Sequence, residues 1–95
     1  MTSKYRQIVE YLRTFEQHLD NDHEIALRFA QYGGPFPLLV TRSGGEDFIL
    51  FELATHDNDT FAIVQNYSHL NFAIVSLPKK THDRPARRVG FLSYP

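Results

Sequence analysis

Cysteine is absent from these 95 residues, which excludes disulfides, thiolate nucleophiles and Cys-ligated zinc. Also missing is any apolar run long enough to cross a bilayer. Two Gly-Gly pairs occur, Gly33-Gly34 and Gly44-Gly45, but neither is followed by the Lys and helix of a phosphate-binding loop. No GxSxG elbow, HExxH or HxxxH spacing is present, and no motif asks for a cofactor. The first residues, "MTSKYRQIVEYLRTF", interleave charge with apolar side chains, unlike the unbroken apolar stretch of a signal peptide, so the expected location is cytoplasmic. An excess of either sign of charge is also missing, with ten Lys and Arg against eleven Asp and Glu, a net of -1. That total conceals an asymmetry. Residues 78–95 hold five Lys and Arg against Asp83 alone, a net of +4, while residues 1–77 hold the other five bases against ten acids, a net of -5.

Aromatic residues are plentiful, with eight Phe and five Tyr, which argues for a packed core rather than disorder. A chain this short supports one domain, residues 1–95. Tyr5, Ile8, Leu12, Phe15 and Leu19 recur at steps of three and four, with Val9 widening the stripe. They predict an amphipathic helix over about 3–19, capped by Thr2 or Ser3. Asn21 followed by Glu24 resembles a capping box, and a second helix is expected over about 22–32, stopped by Gly33-Gly34-Pro35. From Phe36 onward the pattern shifts to short β-branched and aromatic runs separated by turn residues. Strands are expected at about 36–42, 46–55, 60–66, 70–77 and 88–94. The short connections favour an antiparallel meander. The expected fold is α+β: two N-terminal helices packed on one face of a four- to five-stranded sheet.

The phrase Phe-Ala-Ile-Val is written twice, at Phe61 and at Phe72. Joined as a hairpin with Ile63 facing Ile74, the two runs put Phe61, Ile63, Phe72 and Ile74 on one side. Ala62, Val64, Ala73 and Val75 then share the other. Apolar residues on both sides are the mark of a sheet covered twice, and two helices cover only one side. Each buried methylene contributes about 0.8 kcal/mol, so the second face, Ala62, Val64, Ala73 and Val75, calls for a second copy or a protein partner. The alternative is that a strand or the long loop folds back over it.

A meander brings alternate loops to the same end of a sheet. "SGGE" and "NYSHLN" should share one end, and "THDND" and "KKTHDRPARR" the other. His56, Asp57, Asp59, His82 and Asp83 could then converge as a mixed His/Asp metal site. Lys79, Lys80, Arg84, Arg87 and Arg88 could bind a nucleic acid or other polyanion, with Phe91 and Tyr94 as stacking platforms. They could equally neutralise the acids opposite them. Glu52 would matter for acid–base chemistry only if it pointed inward. The reading leans against catalysis. It favours a small protein-interaction module, homodimeric through its second apolar face, with polyanion binding next and a metal-dependent role third.

Overall fold

Helix α1 spans Lys4–Gln17 in the computed structural model, which describes residues 3–92. Ser3 caps it, its hydroxyl accepting from the Arg6 N–H at 3.1 Å and so satisfying one of the free amides at the helix start. Thr2 and Tyr94 lie outside the described residues. The apolar stripe seats Leu12 with no exposure and leaves Val9 nearly as buried; Tyr5, Ile8, Phe15 and Leu19 pack around them. No helix among the described residues is long and apolar enough to cross a membrane.

The remaining described elements are strands: β1 (His23–Phe29), β2 (Gly33–Ser43), β3 (Phe48–Ala54), β4 (Thr60–Asn66), β5 (Phe72–Pro78) and β6 (Gly90–Leu92). A 3-10 turn at Tyr67–His69 precedes β5. The expected second helix is therefore corrected to a strand, β1. Its helix-forming Ala26, Leu27 and Arg28 point to a helix locally, but the surroundings decide otherwise. Glu24, Ile25, Ala26 and Leu27 are all buried in succession, which a helix with one apolar stripe cannot achieve and a strand covered on both faces can. β1 has neighbours on both sides, β2 and β5, so its backbone groups are satisfied without a helix. The expected capping box also dissolves: Asn21 is exposed, and the Glu24 carboxylate is used elsewhere.

The strand order is β4-β3-β2-β1-β5, with β6 alongside β2. Strands β1 to β4 form a meander, but β5 returns to the far side of β1. This corrects the proposed hairpin between the two Phe-Ala-Ile-Val phrases, which instead form opposite edges of the network. Neighbours are antiparallel except β6, which runs parallel to β2.

The sheet cannot be flat. β4 ends opposite Phe48, beside the Ser43 end of β2, while β5 begins opposite Phe29, beside the Gly33 end. Laid straight, β2 would separate those points by roughly 35 Å. Residues 67–71, which join them, could reach at most about 20 Å. β2 therefore turns a corner. Its first part, carrying Pro35 and Pro37, pairs only with β1, and its register with β3 breaks between Leu38 and Val40. Proline lacks a ladder donor and is tolerated where a strand has one neighbour; bulged strands make such corners. Ring contacts record the fold-over. Phe51 of β3 and Phe72 of β5 have centroids 5.3 Å apart, whereas three flat strand spacings would be about 14 Å. Phe36 meets Phe61 edge-on at 4.9 Å.

The core lies inside this curl, closed by α1. It contains Leu12, Ile25, Leu27, Phe29, Leu38, Ile49, Phe51, Leu53 and Ile63, with Phe61, Phe72 and Ile74 packed against it. Tyr5 Oη donates to the Thr41 carbonyl at 2.9 Å, and the Arg13 guanidinium sits 4.8 Å over the Phe91 ring. These contacts hold the helix against β2 and β6.

Candidate functional site: a groove beside a free strand edge

The basic segment between β5 and β6 is a strap tied to the protein itself. Lys79 N–H donates to the Asp22 carbonyl at 2.8 Å, and Lys79 Nζ to the Arg84 carbonyl at 2.7 Å. Arg84 grips Glu24 with both terminal nitrogens, at 2.8 and 3.3 Å, and the Arg87 N–H donates to the same carboxylate. Arg88 donates to the carbonyls of His23 at 2.9 Å and Asp20 at 2.8 Å. The Val89 N–H reaches Glu16 at 2.9 Å. Lys80 alone of the five expected anion-binding residues is simply exposed. The charge asymmetry of the sequence is largely absorbed within the fold, and the strap covers Glu24 at the start of β1.

Glu24 is the central post of this arrangement, 4 % exposed. Burial alone would raise its pKa, but the Arg84 guanidinium and the Arg87 amide outweigh that and hold the carboxyl below its usual range. Glu16 shows the opposite balance. Burial raises its pKa, only partly offset by the Val89 N–H and nearby Arg88.

The two loops expected at one end do meet: Arg87 Nη2 donates to Asn58 Oδ1 at 3.2 Å. At the other, the Tyr67 N–H donates to the Asp47 carbonyl at 2.9 Å. The candidate metal ligands are nevertheless not gathered. His56 lies 3.5 Å from Asp57, both largely exposed, and Asp59, His82 and Asp83 are exposed as well. Among the described residues no group of three or more His, Cys, Asp or Glu is placed to hold a metal ion. Glu52 turns outward, opposite Ala62 and Val40, and lies 3.8 Å from Arg42.

The four residues of the expected dimer face are split. Ala62 and Val64 oppose Glu52 and Leu50 of β3, whereas Ala73 and Val75 oppose Arg28 and Ala26 of β1. All four project to the outside of the curl, but from opposite edges of the network, so they do not form one patch.

A feature the sequence did not single out lies between α1 and β5. Glu10, Tyr11, Thr14, Phe15, His18, Leu19 and Ile74 line an open, mainly apolar groove of about 790 Å³. Tyr11 is 69 % exposed, on the flank of α1 away from the buried stripe. His18 is folded back, its Nδ1 2.7 Å from the Thr14 carbonyl, so the ring borders the groove without crossing it. Ile74 forms the floor from the strand side, facing inward opposite Leu27. Beyond it, β5 pairs with β1 and, among the described residues, with no other strand, leaving a row of backbone donors and acceptors at the lip of the groove. The only sequence signal was an aromatic, Tyr11, off the helix's apolar stripe. Its strand-side partner could not be found without knowing that β5 lies beside the helix. Comparison with protein-family models, with curated proteins and with solved structures finds no match to this chain.

Proposed function

We propose that this protein is a non-catalytic protein-interaction module that binds an extended segment of a partner along β5. The observation that carries the reading is the coincidence of a free strand edge with an apolar groove on the same side. A strand added to β5 would gain main-chain hydrogen bonds from the edge. Its alternate side chains, following the pleat, would fall beside Ile74 into the space bounded by Phe15, Leu19 and Tyr11. The ligand class follows: an extended peptide with bulky apolar residues at every second position.

Peptides selected by display on the purified protein test this. Titration into isotopically labelled protein should shift the amides of residues 72–77 and 10–19 first, and Tyr11→Glu should remove binding while leaving the circular dichroism spectrum intact. Selected peptides that shift residues elsewhere, or that bind Tyr11→Glu as well as the parent, would refute the assignment.

A further inference from the structure

The opposite edge of the network, β4, is a different surface and supports a separate reading. Its seven residues, "TFAIVQN", contain no charge, proline or glycine, and among the described residues β3 is the one strand paired with it. Edge strands of soluble proteins are normally blunted by Lys, Pro or a bulge. β5 at least ends in Pro78 and runs into Lys79 and Lys80; β4 has none of these devices. Val64 is 56 % exposed, Ala62 is exposed, and the half-buried Leu50 stands beside Val64 on the neighbouring strand. A shallow depression of about 280 Å³ lies across the outer side of β2, β3 and β4, lined by Arg42, Leu50, Glu52, Thr60, Phe61 and Ala62.

We propose that two copies of the chain pair through β4, antiparallel, about a two-fold axis at Ile63. A two-fold perpendicular to the sheet keeps outward residues opposite outward residues, so only registers that preserve the pleat are allowed. The axis at Ile63 is the allowed register that uses the whole strand. It sets Ala62 against Val64 of the partner subunit and Thr60 against Asn66 of the partner subunit, each twice. The strand is thus complementary to itself: small against larger apolar on the outer face, hydroxyl against amide at both ends. Two-fold pairing is also closed. It consumes the unprotected edge of both copies, whereas a single copy would keep an uncharged strand open to indefinite addition.

The absence of cysteine makes the register directly testable. Ala62→Cys and Val64→Cys are prepared separately, and each is oxidised alone and as an equal mixture. Directly opposed positions lie close enough for a disulfide, and like positions are offset by two residues on each strand. Cross-linked dimer should form in the mixture and be several-fold weaker in either variant alone. Light scattering of the parent protein at micromolar concentration should give twice the 11.0-kDa chain mass, and Val64→Lys should halve it with the fold retained. A monomeric parent overturns the proposal, as does Val64→Lys that stays dimeric or cross-linking no better in the mixture than alone. Should Val64→Lys fail to fold, the cross-linking decides. Tyr11→Glu should leave the mass unchanged, so this test and that of the β5 groove fail independently.

Discussion

Replacing Glu24 by Gln should loosen the strap that closes the fold. In the native protein Glu24 accepts two hydrogen bonds from Arg84 and one from the Arg87 backbone. Gln can set its single amide oxygen where Oε2 accepts from both Arg84 and the Arg87 N–H, but it loses the acceptor at Oε1, removes the negative charge and turns N–H groups toward a guanidinium. Hydrogen bonds to charged groups contribute about 1.5–3 kcal/mol each, and breaking a fully buried pair costs about 3–5 kcal/mol. Arg84 retains 31 % side-chain exposure and can recover water, which places the expected loss at the low end, about 2 kcal/mol. For a domain of this size that is a fall in Tm of about 8–16 °C, measurable by thermal or urea unfolding followed by circular dichroism. A double-mutant cycle with Arg84→Met isolates the pair and should return a coupling of at least about 1 kcal/mol. Glu24→Met combined with Arg84→Met should recover part of the loss, because neither ion is left unpaired, while the Arg87 N–H still loses its acceptor. A Tm loss below about 3 °C, or strictly additive effects in the cycle, would show that the strap is held by something other than this pair.

The same carboxylate sets an acid limit. Because its folded pKa lies below the ordinary value of 4.5, its contribution is fully present above that value and is lost as pH falls through the folded pKa. Thermal unfolding against pH should therefore steepen below about pH 4.5 and flatten in Glu24→Gln. Glu16 has the opposite sign: with a raised folded pKa, its favourable contribution is complete below 4.5 and is lost as pH rises through the folded pKa. The effect of Glu16→Gln on Tm should accordingly be more favourable near about pH 7 than near about pH 4, and no difference between them would contradict the assignment. Gly34 has φ +116°, and a Cβ there would come within 2.9 Å of the Leu27 carbonyl oxygen. Gly34→Ala should cost more than about 1 kcal/mol in urea unfolding, whereas Gly45→Ala, with open space around its φ of +93°, should cost distinctly less. Leu12→Ala removes a side chain with no exposure and should destabilise by about 2–5 kcal/mol, with an unchanged m-value.

Local chemistry was enough for some elements and not for others. The spacing of Tyr5, Ile8, Leu12 and Phe15, with a hydroxyl before it, specifies α1 because a helix needs only its own backbone and one apolar side. The turn residues and β-branched runs after Phe36 mark a sheet-rich remainder for a similar reason: those preferences act over a few residues. They also place Phe61, Ile63, Phe72 and Ile74 toward a common core, since side-chain alternation belongs to each strand separately.

What pairs with what was decided at long range. "HEIALRF" is compatible with a helix until β2 and β5 flank it; only then can four consecutive residues be buried and their amides satisfied as a strand. The two Phe-Ala-Ile-Val phrases read as neighbours because they are close in the chain. Burying Phe51 against Phe72 instead required β2 to turn its corner and sent them to opposite edges. Glu24 acquired its partners from sixty positions away, so no short window of sequence could separate a capping residue from a buried anchor. Helix and strand character depend on neighbouring residues along the chain, whereas strand order, the strap and the groove depend on which distant surfaces exclude water together.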